Sequence, residues 1–232
     1  MSEPQLLDPQ AAYALWAADY PPYAHNALMR AEERAMLSLL PADLRGKNVL
    51  DAGCGSGRYI LHARRRGARH VLGVDLSPQM LARARTENAD TQGVRLLRAG
   101  LEALPLPDGW AAVTLCGLTL GHLESLQAPL AELCRVTRPG GLILCSDFHP
   151  IGAALGWQRT FKVNGQKYAV RHTPYYYADW HRACRALNLR ILEVLEPRLD
   201  PADIPPGAHF DPKALEVPVA LALALQRQEK AR

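Results

Sequence analysis

The stretch that decides the fold is VLDAGCGSGRYILHARRRGARHVLGVD, from Val49 to Asp75. It begins with an apolar strand that ends at Asp51, continues through a turn with a glycine at every second position, and becomes helical at Arg58. A second apolar strand then ends in an acid, Asp75. Glycines allow positive φ angles and let a ligand approach the backbone closely. Ligands of open α/β sheets lie beyond the carboxyl ends of the strands. The stretch therefore predicts a site where Asp75 accepts hydrogen bonds from the hydroxyl groups of a ribose.

The glycine spacing distinguishes between two kinds of nucleotide-binding turn. A dinucleotide fingerprint requires glycines at the first, third and sixth positions, and the sixth position here is Arg58. The pattern D-x-G-x-G-x-G, from Asp51 to Gly57, instead resembles the first motif of class I S-adenosylmethionine-dependent methyltransferases, in particular a small-molecule family similar to methyltransferase type 11. The resemblance implies S-adenosylmethionine as cofactor and S-adenosylhomocysteine as product. A nicotinamide oxidoreductase and a tight turn without a ligand remain alternatives.

The order of the predicted elements extends this resemblance over residues 46–148. Strands VRLLRAG, AAVTLCG and GLILCSDF alternate with helical patterns, and R-P-G-G stops the helix before the last of them. Such alternation indicates a parallel sheet with helices on both faces. We expect an α/β, Rossmann-like, doubly wound sheet of seven strands. The resemblance implies the order 3-2-1-4-5-7-6, with the tail EVPVALALALQ as the closing, antiparallel strand.

The segments that flank this core predict the remaining organisation of one domain over residues 1–232. We expect an N-terminal helical cap over 1–45, an inserted hairpin over 149–173 and C-terminal elements over 174–232. The Asn-Gly pair within FKVNGQKYAV predicts the hairpin turn. The inserted segment follows the fifth strand, where the family places elements that cover the substrate. The proline-rich loop DPADIPPGAHFDP is a further segment that could touch the site.

Composition and charge exclude several other classes of protein. The cysteines have no C-x-x-C spacing, so we expect neither a metal site nor disulfides. The net charge is only +4, and the arginines at 64, 65, 66 and 69 have no interleaved aromatic residues, so nucleic acid is not an expected partner. No apolar run is long enough to span a membrane, and the segment MSEPQLLDPQ lacks the basic-then-apolar pattern of a secretory signal. We expect a cytoplasmic protein, without a membrane partner, that is a monomer or a homodimer.

The resemblance also implies the cofactor site residue by residue. Relatives carry an Asp after the third strand, where it accepts a hydrogen bond from the adenine amino group, but Gly100 stands there in this sequence. The Leu101 amide or the Glu102 side chain is the expected substitute. The segment YALWAADY resembles a Y-D-x-x-A-x-x-Y segment that folds over the cofactor in many relatives, with Ala14 in place of the Asp. The expected cofactor residues are Tyr20, Asp51, Gly53, Cys54, Gly55, Gly57, Asp75, Leu76, Met80, Gly100, Leu101, Glu102 and Cys116.

Candidates for the acceptor side follow from the chemistry of methyl transfer. Displacement at a sulfonium methyl depends mainly on positioning. A phenol or amine acceptor also needs a base, for which histidine is the usual residue. His122 ranks first because relatives often have a histidine after the fourth strand, His149 ranks second, and His172 lies in a segment near the same edge. The expected substrate-contacting residues are Tyr13, His25, Arg159 and Tyr176, since at most two of the three successive tyrosines at 175–177 can face the site.

Three functions compete at this stage. The first is methyl transfer to an oxygen or nitrogen of a small molecule. The second is carboxyl methylation of a malonyl thioester, because a cation such as Arg159 or Lys162 in the insertion favours a carboxylate, and methyl ester synthases of biotin synthesis share this core and an inserted segment. Carboxylates need no base. The third is a non-catalytic protein that binds S-adenosylmethionine in a site closed to any acceptor.

Overall fold

A computed structural model describes residues 3–88, 92–204 and 211–229 of the chain. The strands are β1 Gln5–Leu7, β2 Asn48–Ala52, β3 His70–Asp75, β4 Val94–Arg98, β5 Ala111–Gly117, β6 Thr137–Phe148, β7 Thr160–Val163, β8 Gln166–Val170, β9 Leu189–Leu195 and β10 Ala220–Arg227. The helices are α1 Pro9–Trp16, α2 Ala27–Leu39, α3 Arg58–Arg65, α4 Pro78–Glu87, α5 Gln127–Val136, α6 Pro150–Ala154 and α7 Tyr177–Ala186.

The main sheet has seven strands in the order β4-β3-β2-β5-β6-β10-β9. The first five strands of this order are parallel, and β10 runs antiparallel to both of its neighbours. Counted within the sheet alone, this is the order 3-2-1-4-5-7-6, so the predicted fold class is confirmed. The carboxyl ends of β2, β3, β4 and β5 meet at one edge, and the predicted turn lies there.

Two apolar layers cover the sheet, one on each face. The alternating sequence of β10 contributes to both, because successive side chains of a strand point to opposite faces. Its leucines, such as Leu223, pack in the layer that contains Leu130 and Trp180 from α5 and α7. Its alanines, such as Ala222, pack in the layer that contains Met36 of α2. The short alanine side chains leave room for α2 to lie close to β10.

The N-terminal cap and the inserted hairpin form a second, smaller sheet in the order β1-β8-β7. The hairpin prediction is confirmed, since Asn164 and Gly165 both have positive φ, at 50° and 80°. The parallel pairing of β1 with β8 is a finding that the sequence did not predict, because three residues are too short for a strand pattern. Trp16 of the cap stacks on Phe161 of the hairpin at 4.6 Å between ring centroids. The cap therefore packs directly on the hairpin.

Two details differ from the expectations or fall outside the described residues. The helix α5 ends before R-P-G-G as expected, but these residues belong to β6, which begins at Thr137 rather than at the glycines. The Thr137 hydroxyl forms a hydrogen bond with the Thr114 hydroxyl of β5, which extends the contact between β5 and β6. Residues 205–210 of the proline-rich loop lie outside the described part of the chain. No helix among the described residues is long and apolar enough to cross a membrane.

Candidate active site

A cavity of about 300 Å³ lies at the carboxyl ends of the parallel strands. One end is lined by the glycine turn, by the residues after β3 and by those after β4. The other end is lined by α1, by the turn after β5 and by the residue that precedes β7. This volume lies within the range of small-molecule sites, roughly 300 to 1,000 Å³. The core sheet thus supplies one end of the cavity, and the cap and hairpin supply much of the other.

The glycine turn is fixed by backbone hydrogen bonds and by close packing. The amides of Gly53 and Cys54 both donate to the Val74 carbonyl, at 2.7 and 2.9 Å. Gly53 has a φ of 71°, and a Cβ there would lie 2.3 Å from the Thr119 side chain. No other residue fits this position without displacing Thr119. The requirement for glycine therefore comes from both conformation and space.

Asp75 is held at the end of β3 by two backbone amides. Its carboxylate accepts hydrogen bonds from the Gly55 amide at 2.9 Å and from the Ser77 amide at 2.8 Å. Burial raises the pKa of the Asp75 carboxyl, and these hydrogen bonds oppose that effect. A carboxylate oxygen has more than one acceptor position. Asp75 lines the cavity with acceptor capacity left for the hydroxyl groups of a ligand.

Most of the other expected cofactor residues also line the cavity. They are Tyr20, Gly53, Cys54, Gly55, Leu76, Met80, Gly100, Leu101 and Glu102. Gly100 is notable because a Cβ built on it would meet no atom within 4 Å. The position where relatives carry an acid is therefore open space in this wall.

Three expected cofactor residues do not line the cavity: Asp51, Gly57 and Cys116. Asp51 and Cys116 are strand residues whose side chains are buried in the core, and Gly57 caps the start of α3. Burial raises the pKa of Asp51 to about 7. Its Oδ2 atom has no hydrogen-bond partner among the described residues. Asp51 thus lies buried at the end of β2 and does not reach the cavity.

Tyr13 and His122 form a hydrogen-bonded pair at the cavity end that α1 and the turn after β5 line. The Tyr13 hydroxyl lies 2.9 Å from His122 Nε2, and His122 Nδ1 lies 3.3 Å from the Arg171 carbonyl. A carbonyl only accepts hydrogen bonds, so Nδ1 carries the proton and Nε2 accepts from Tyr13. Burial and the Arg159 cation lower the pKa of His122 to about 4. His122 is therefore neutral at pH 7.

Arg159 brings a half-buried positive charge to the same end of the cavity. Its Nη2 atom donates to the Tyr20 hydroxyl at 3.0 Å. Its guanidinium carbon lies 5.3 to 5.5 Å from the ring centroids of Tyr13, Trp16 and Phe148, within cation–π range. Its Nη1 atom is buried and has no partner, and no ion pair involves Arg159 among the described residues. Arg159 thus lines the cavity and keeps one donor that no described residue pairs.

The remaining predicted acceptor residues lie away from the cavity lining. His149 caps α6 and its Nε2 lies 3.2 Å from Glu196. Tyr176 caps α7 and is 55% exposed. His25 packs edge-on against Trp16 and Tyr20 and does not line the cavity. Of the predicted catalytic and substrate residues, only Tyr13, His122 and Arg159 line the cavity.

Sequence reasoning missed a buried charged group beside the turn. Glu32 of α2 accepts hydrogen bonds from Tyr59, at 2.6 Å, and from Arg58, at 2.8 Å, and both of these residues line the cavity. Ser146 of β6 also donates to Glu32. The signal was present, since Glu32 lies beside the alanines at 31 and 35 on the apolar stripe of α2. A charge on an apolar stripe indicates a buried partner.

The sheet order, the glycine turn and the acid that ends β3 together define the class I methyltransferase fold with its cofactor site. A family model described as a methyltransferase domain matches residues 50–145. The chain is 35% identical over 177 residues to the malonyl-[acyl-carrier protein] O-methyltransferase of Pectobacterium atrosepticum, a match that covers 75% of this chain and 66% of that protein. It is also 33% identical over 123 residues to the demethylmenaquinone methyltransferase of Listeria welshimeri. This match covers 51% of this chain and 52% of that protein.

A solved structure supports the same assignment. The S-adenosylmethionine dependent methyltransferase from Mesorhizobium loti is 27% identical and superposes with a TM-score of 0.69, over 85% of this chain and 98% of that one. The chain belongs to the class I S-adenosylmethionine-dependent methyltransferases. It spans just under two thirds of the length of the first of these curated relatives and about half of the second.

The cavity fits the methyl donor that this class uses. Asp75 offers acceptors for ribose hydroxyl groups, and Leu76, Met80 and Leu101 offer apolar surface for an adenine ring. The glycine turn leaves its backbone uncovered where the amino-acid end of the cofactor lies in this class. The residues present thus match each part of S-adenosylmethionine in chemical character.

Proposed function

We propose that this chain transfers the methyl group of S-adenosylmethionine to an oxygen of a small acceptor, and that a carboxylate of the acceptor binds Arg159. The observation that carries the proposal is Arg159, a half-buried cation at the cavity end that α1 and the turn after β5 line, which we take as the acceptor end. Its Nη1 atom has no hydrogen-bond partner among the described residues. When bound, the cofactor supplies a methyl group activated by its sulfonium. The acceptor end must then only bind and orient a nucleophile.

A carboxylate suits this environment on energetic grounds. A buried cation without a counter-charge is costly, and a carboxylate provides both charge and hydrogen-bond acceptors. A hydrogen bond to a charged group contributes about 1.5 to 3 kcal/mol. Carboxylate oxygens are already nucleophilic, so transfer to them depends on orientation and needs no base. The low basicity of the buried His122 agrees with such a reaction.

The relatives give independent support for this acceptor class. The Pectobacterium protein is named as an O-methyltransferase of malonyl-[acyl-carrier protein], whose malonyl group ends in a free carboxylate. A non-catalytic role is less well supported. The cavity continues from the glycine turn to Tyr13, His122 and Arg159, so space for an acceptor adjoins the cofactor end.

The test compares Arg159→Met with the wild type, using malonyl-coenzyme A as the acceptor. Loss of a charged hydrogen bond of about 1.5 to 3 kcal/mol should raise the acceptor KM roughly 10- to 150-fold. The Kd for S-adenosylhomocysteine, measured by calorimetry, should stay within about twofold, since Arg159 lies at the acceptor end. Lys162→Met is the matched control, because Lys162 lies in the same hairpin, is exposed and does not line the cavity.

Two outcomes would contradict the proposal. One is an acceptor KM that is equal in Arg159→Met and the wild type. The other is a loss of S-adenosylhomocysteine affinity as large as the loss of acceptor affinity, which would mean that Arg159 serves the cofactor.

A hydroxyl acceptor is the second candidate, and the Tyr13–His122 pair favours it. An acceptor hydroxyl would pass its proton to the Tyr13 oxygen while Tyr13 passes its own proton to His122 Nε2, which lies 2.9 Å away. The methyl group would leave the sulfonium for the acceptor oxygen. With 4-hydroxybenzoate as a probe, the methyl ester as product supports the carboxylate acceptor, and the methyl ether supports the hydroxyl acceptor.

A further inference from the structure

Residues 171–173, which we name the strap, connect the hairpin to the segment before α7. The strap contacts two other parts of the acceptor half. The Arg171 amide donates to the Leu7 carbonyl of β1 at 2.8 Å, and the Arg171 carbonyl accepts from His122. The Thr173 amide donates to the Gly121 carbonyl at 2.7 Å. The strap therefore joins β1 to the turn at Leu120–His122.

His172, at the centre of the strap, pairs with a buried acid. Its Nε2 atom lies 2.8 Å from Oδ1 of Asp147, which is 3% exposed. An ionised carboxylate only accepts hydrogen bonds, so His172 donates. The other oxygen of Asp147 accepts from the Gly121 amide. One carboxylate thus connects His172 to the backbone of the turn that carries His122.

The geometry points to Asp147 and His172 as positioning residues of the acceptor site. They hold the turn at Leu120–His122 so that His122 Nε2 faces Tyr13, whose ring lies beneath the Arg159 guanidinium. Neither positioning residue lines the cavity. The effect on turnover rests on the proposed function, whereas the effect on His122 does not.

Gly121 shows how tightly the pair is fitted to the turn. A Cβ on Gly121 would lie 2.0 Å from His172 Nε2 and 2.7 Å from Asp147 Oδ2. The pair therefore occupies the space that any side chain at this position would need. Gly121→Ala would separate His172 from the carboxylate without removing either residue.

The pair also controls which nitrogen of His122 carries the proton. The Arg171 carbonyl favours the Nδ1–H tautomer, and this carbonyl belongs to the residue just before His172. Without the anchor on Asp147, the strap keeps the Thr173–Gly121 hydrogen bond but loses the side-chain link that holds Arg171 and His172 at the turn. His122 would then exchange between tautomers, and the Nε2–H form cannot accept the hydrogen bond from Tyr13.

The experiment measures the His122 tautomer and the acceptor kinetics separately. In ¹⁵N-labelled full-length protein, long-range proton–nitrogen NMR should show one Nδ1–H tautomer for His122 in the wild type, and mixed tautomers in His172→Ala and Gly121→Ala. With malonyl-coenzyme A, kcat/KM should fall roughly tenfold or more, because small misplacements near the reacting groups cost up to about 100-fold. The Kd for S-adenosylhomocysteine should stay within about twofold.

Two further variants make the result specific. His172→Gln keeps an N–H donor that can reach Asp147 and should retain the single tautomer. His181→Ala is the matched control, since it is the same change at an exposed histidine of α7. An unchanged His122 tautomer in both His172→Ala and Gly121→Ala would overturn the inference. A loss of S-adenosylhomocysteine affinity as large as the loss of kcat/KM would also overturn it. A wild type that is inactive on malonyl-coenzyme A counts against the proposed acceptor, while the tautomer still decides the positioning role.

Discussion

Two arginines reach the cavity, and their partners give them different roles. Arg58 bonds two carboxylates of α2, those of Glu32 and Glu33, at 2.8 and 3.2 Å. Arg159 bonds a phenol and keeps one buried nitrogen without a partner. A cation that is already paired gains little from another anion, whereas an unpaired buried cation gains both charge and hydrogen bonds. For this reason we assign the acceptor carboxylate to Arg159 and a structural role to Arg58.

Gly100 allows a prediction at the scale of one residue. Gly100→Asp should tighten S-adenosylhomocysteine binding roughly 3- to 10-fold, since a side chain there has open space and a carboxylate can accept a hydrogen bond from the adenine amino group. Calorimetry with the wild type, Gly100→Asp and Gly100→Ala measures the effect. Gly100→Ala adds the Cβ alone and should not tighten binding. Equal affinities for the Asp and Ala variants would show that no adenine contact is made.

At the scale of elements, α2 is joined to the cofactor end through one buried carboxylate. Glu32 is fully buried and accepts from Tyr59 in α3 and Ser146 in β6 as well as from Arg58. An amphipathic helix could pack in several orientations on apolar contacts alone. The three donors to Glu32 instead select one orientation. The same contacts hold Arg58 and Tyr59 where they line the cavity.

The neighbouring acids of α2 provide a matched pair for testing this role. Glu32→Ala should lower the free energy of unfolding by about 3 to 5 kcal/mol, because it leaves two buried hydroxyl groups without their acceptor and leaves Arg58 with only the more exposed Glu33. Glu33→Ala should lower the free energy of unfolding by only about 1 kcal/mol. The Glu33 side chain is 22% exposed, and Arg58 keeps its ion pair with Glu32 in this variant. Urea denaturation of both variants measures the difference. Similar losses in the two would rule out the special role of Glu32.

At the scale of the whole molecule, the two ends of the cavity are built in different ways. The cofactor end comes mostly from one stretch of chain, since the turn, Asp75 and Gly100 follow one another across three adjacent strands. The acceptor end combines residues far apart in the chain, as Tyr13 and His122 are separated by 109 positions. The cap and the hairpin are joined by the β1–β8 pairing. The acceptor end therefore depends on long-range packing.

Ligand binding to such a cavity should stabilise the whole fold. S-adenosylhomocysteine at 100 times its Kd adds about 2.7 kcal/mol, which for a chain of this size corresponds to a rise in Tm of roughly 5 to 10 °C. Thermal denaturation with and without the ligand measures the shift. Asp75→Asn should reduce this rise in Tm. The amide oxygen of Asn still accepts one hydrogen bond within the turn, but the amide offers fewer acceptor positions to a ribose than the carboxylate does. A folded wild type without any shift would contradict the cofactor site.

The sequence by itself determined the sheet, the glycine turn and the acid that ends β3. These features depend on short-range patterns, namely apolar alternation and glycine spacing within about 25 residues of chain. The Asn164–Gly165 turn was predictable for the same reason. Most of the cofactor end could thus be predicted from local motifs together with the family that they resemble. Of the exceptions, Asp51 and Cys116 are strand residues that the core buries, and Gly57 caps α3.

Only the tertiary structure decided which polar residues form the acceptor end. Arg159 and Lys162 lie three positions apart in one segment, yet the first lines the cavity and the second is exposed. His122 lies in the cavity wall, whereas His149 caps a helix elsewhere. The family resemblance ranked His122 above His149, but no sequence pattern separates Arg159 from Lys162. Their roles depend on burial and on partners distant in the chain, and these are set only when the cap, the hairpin and the sheet pack together.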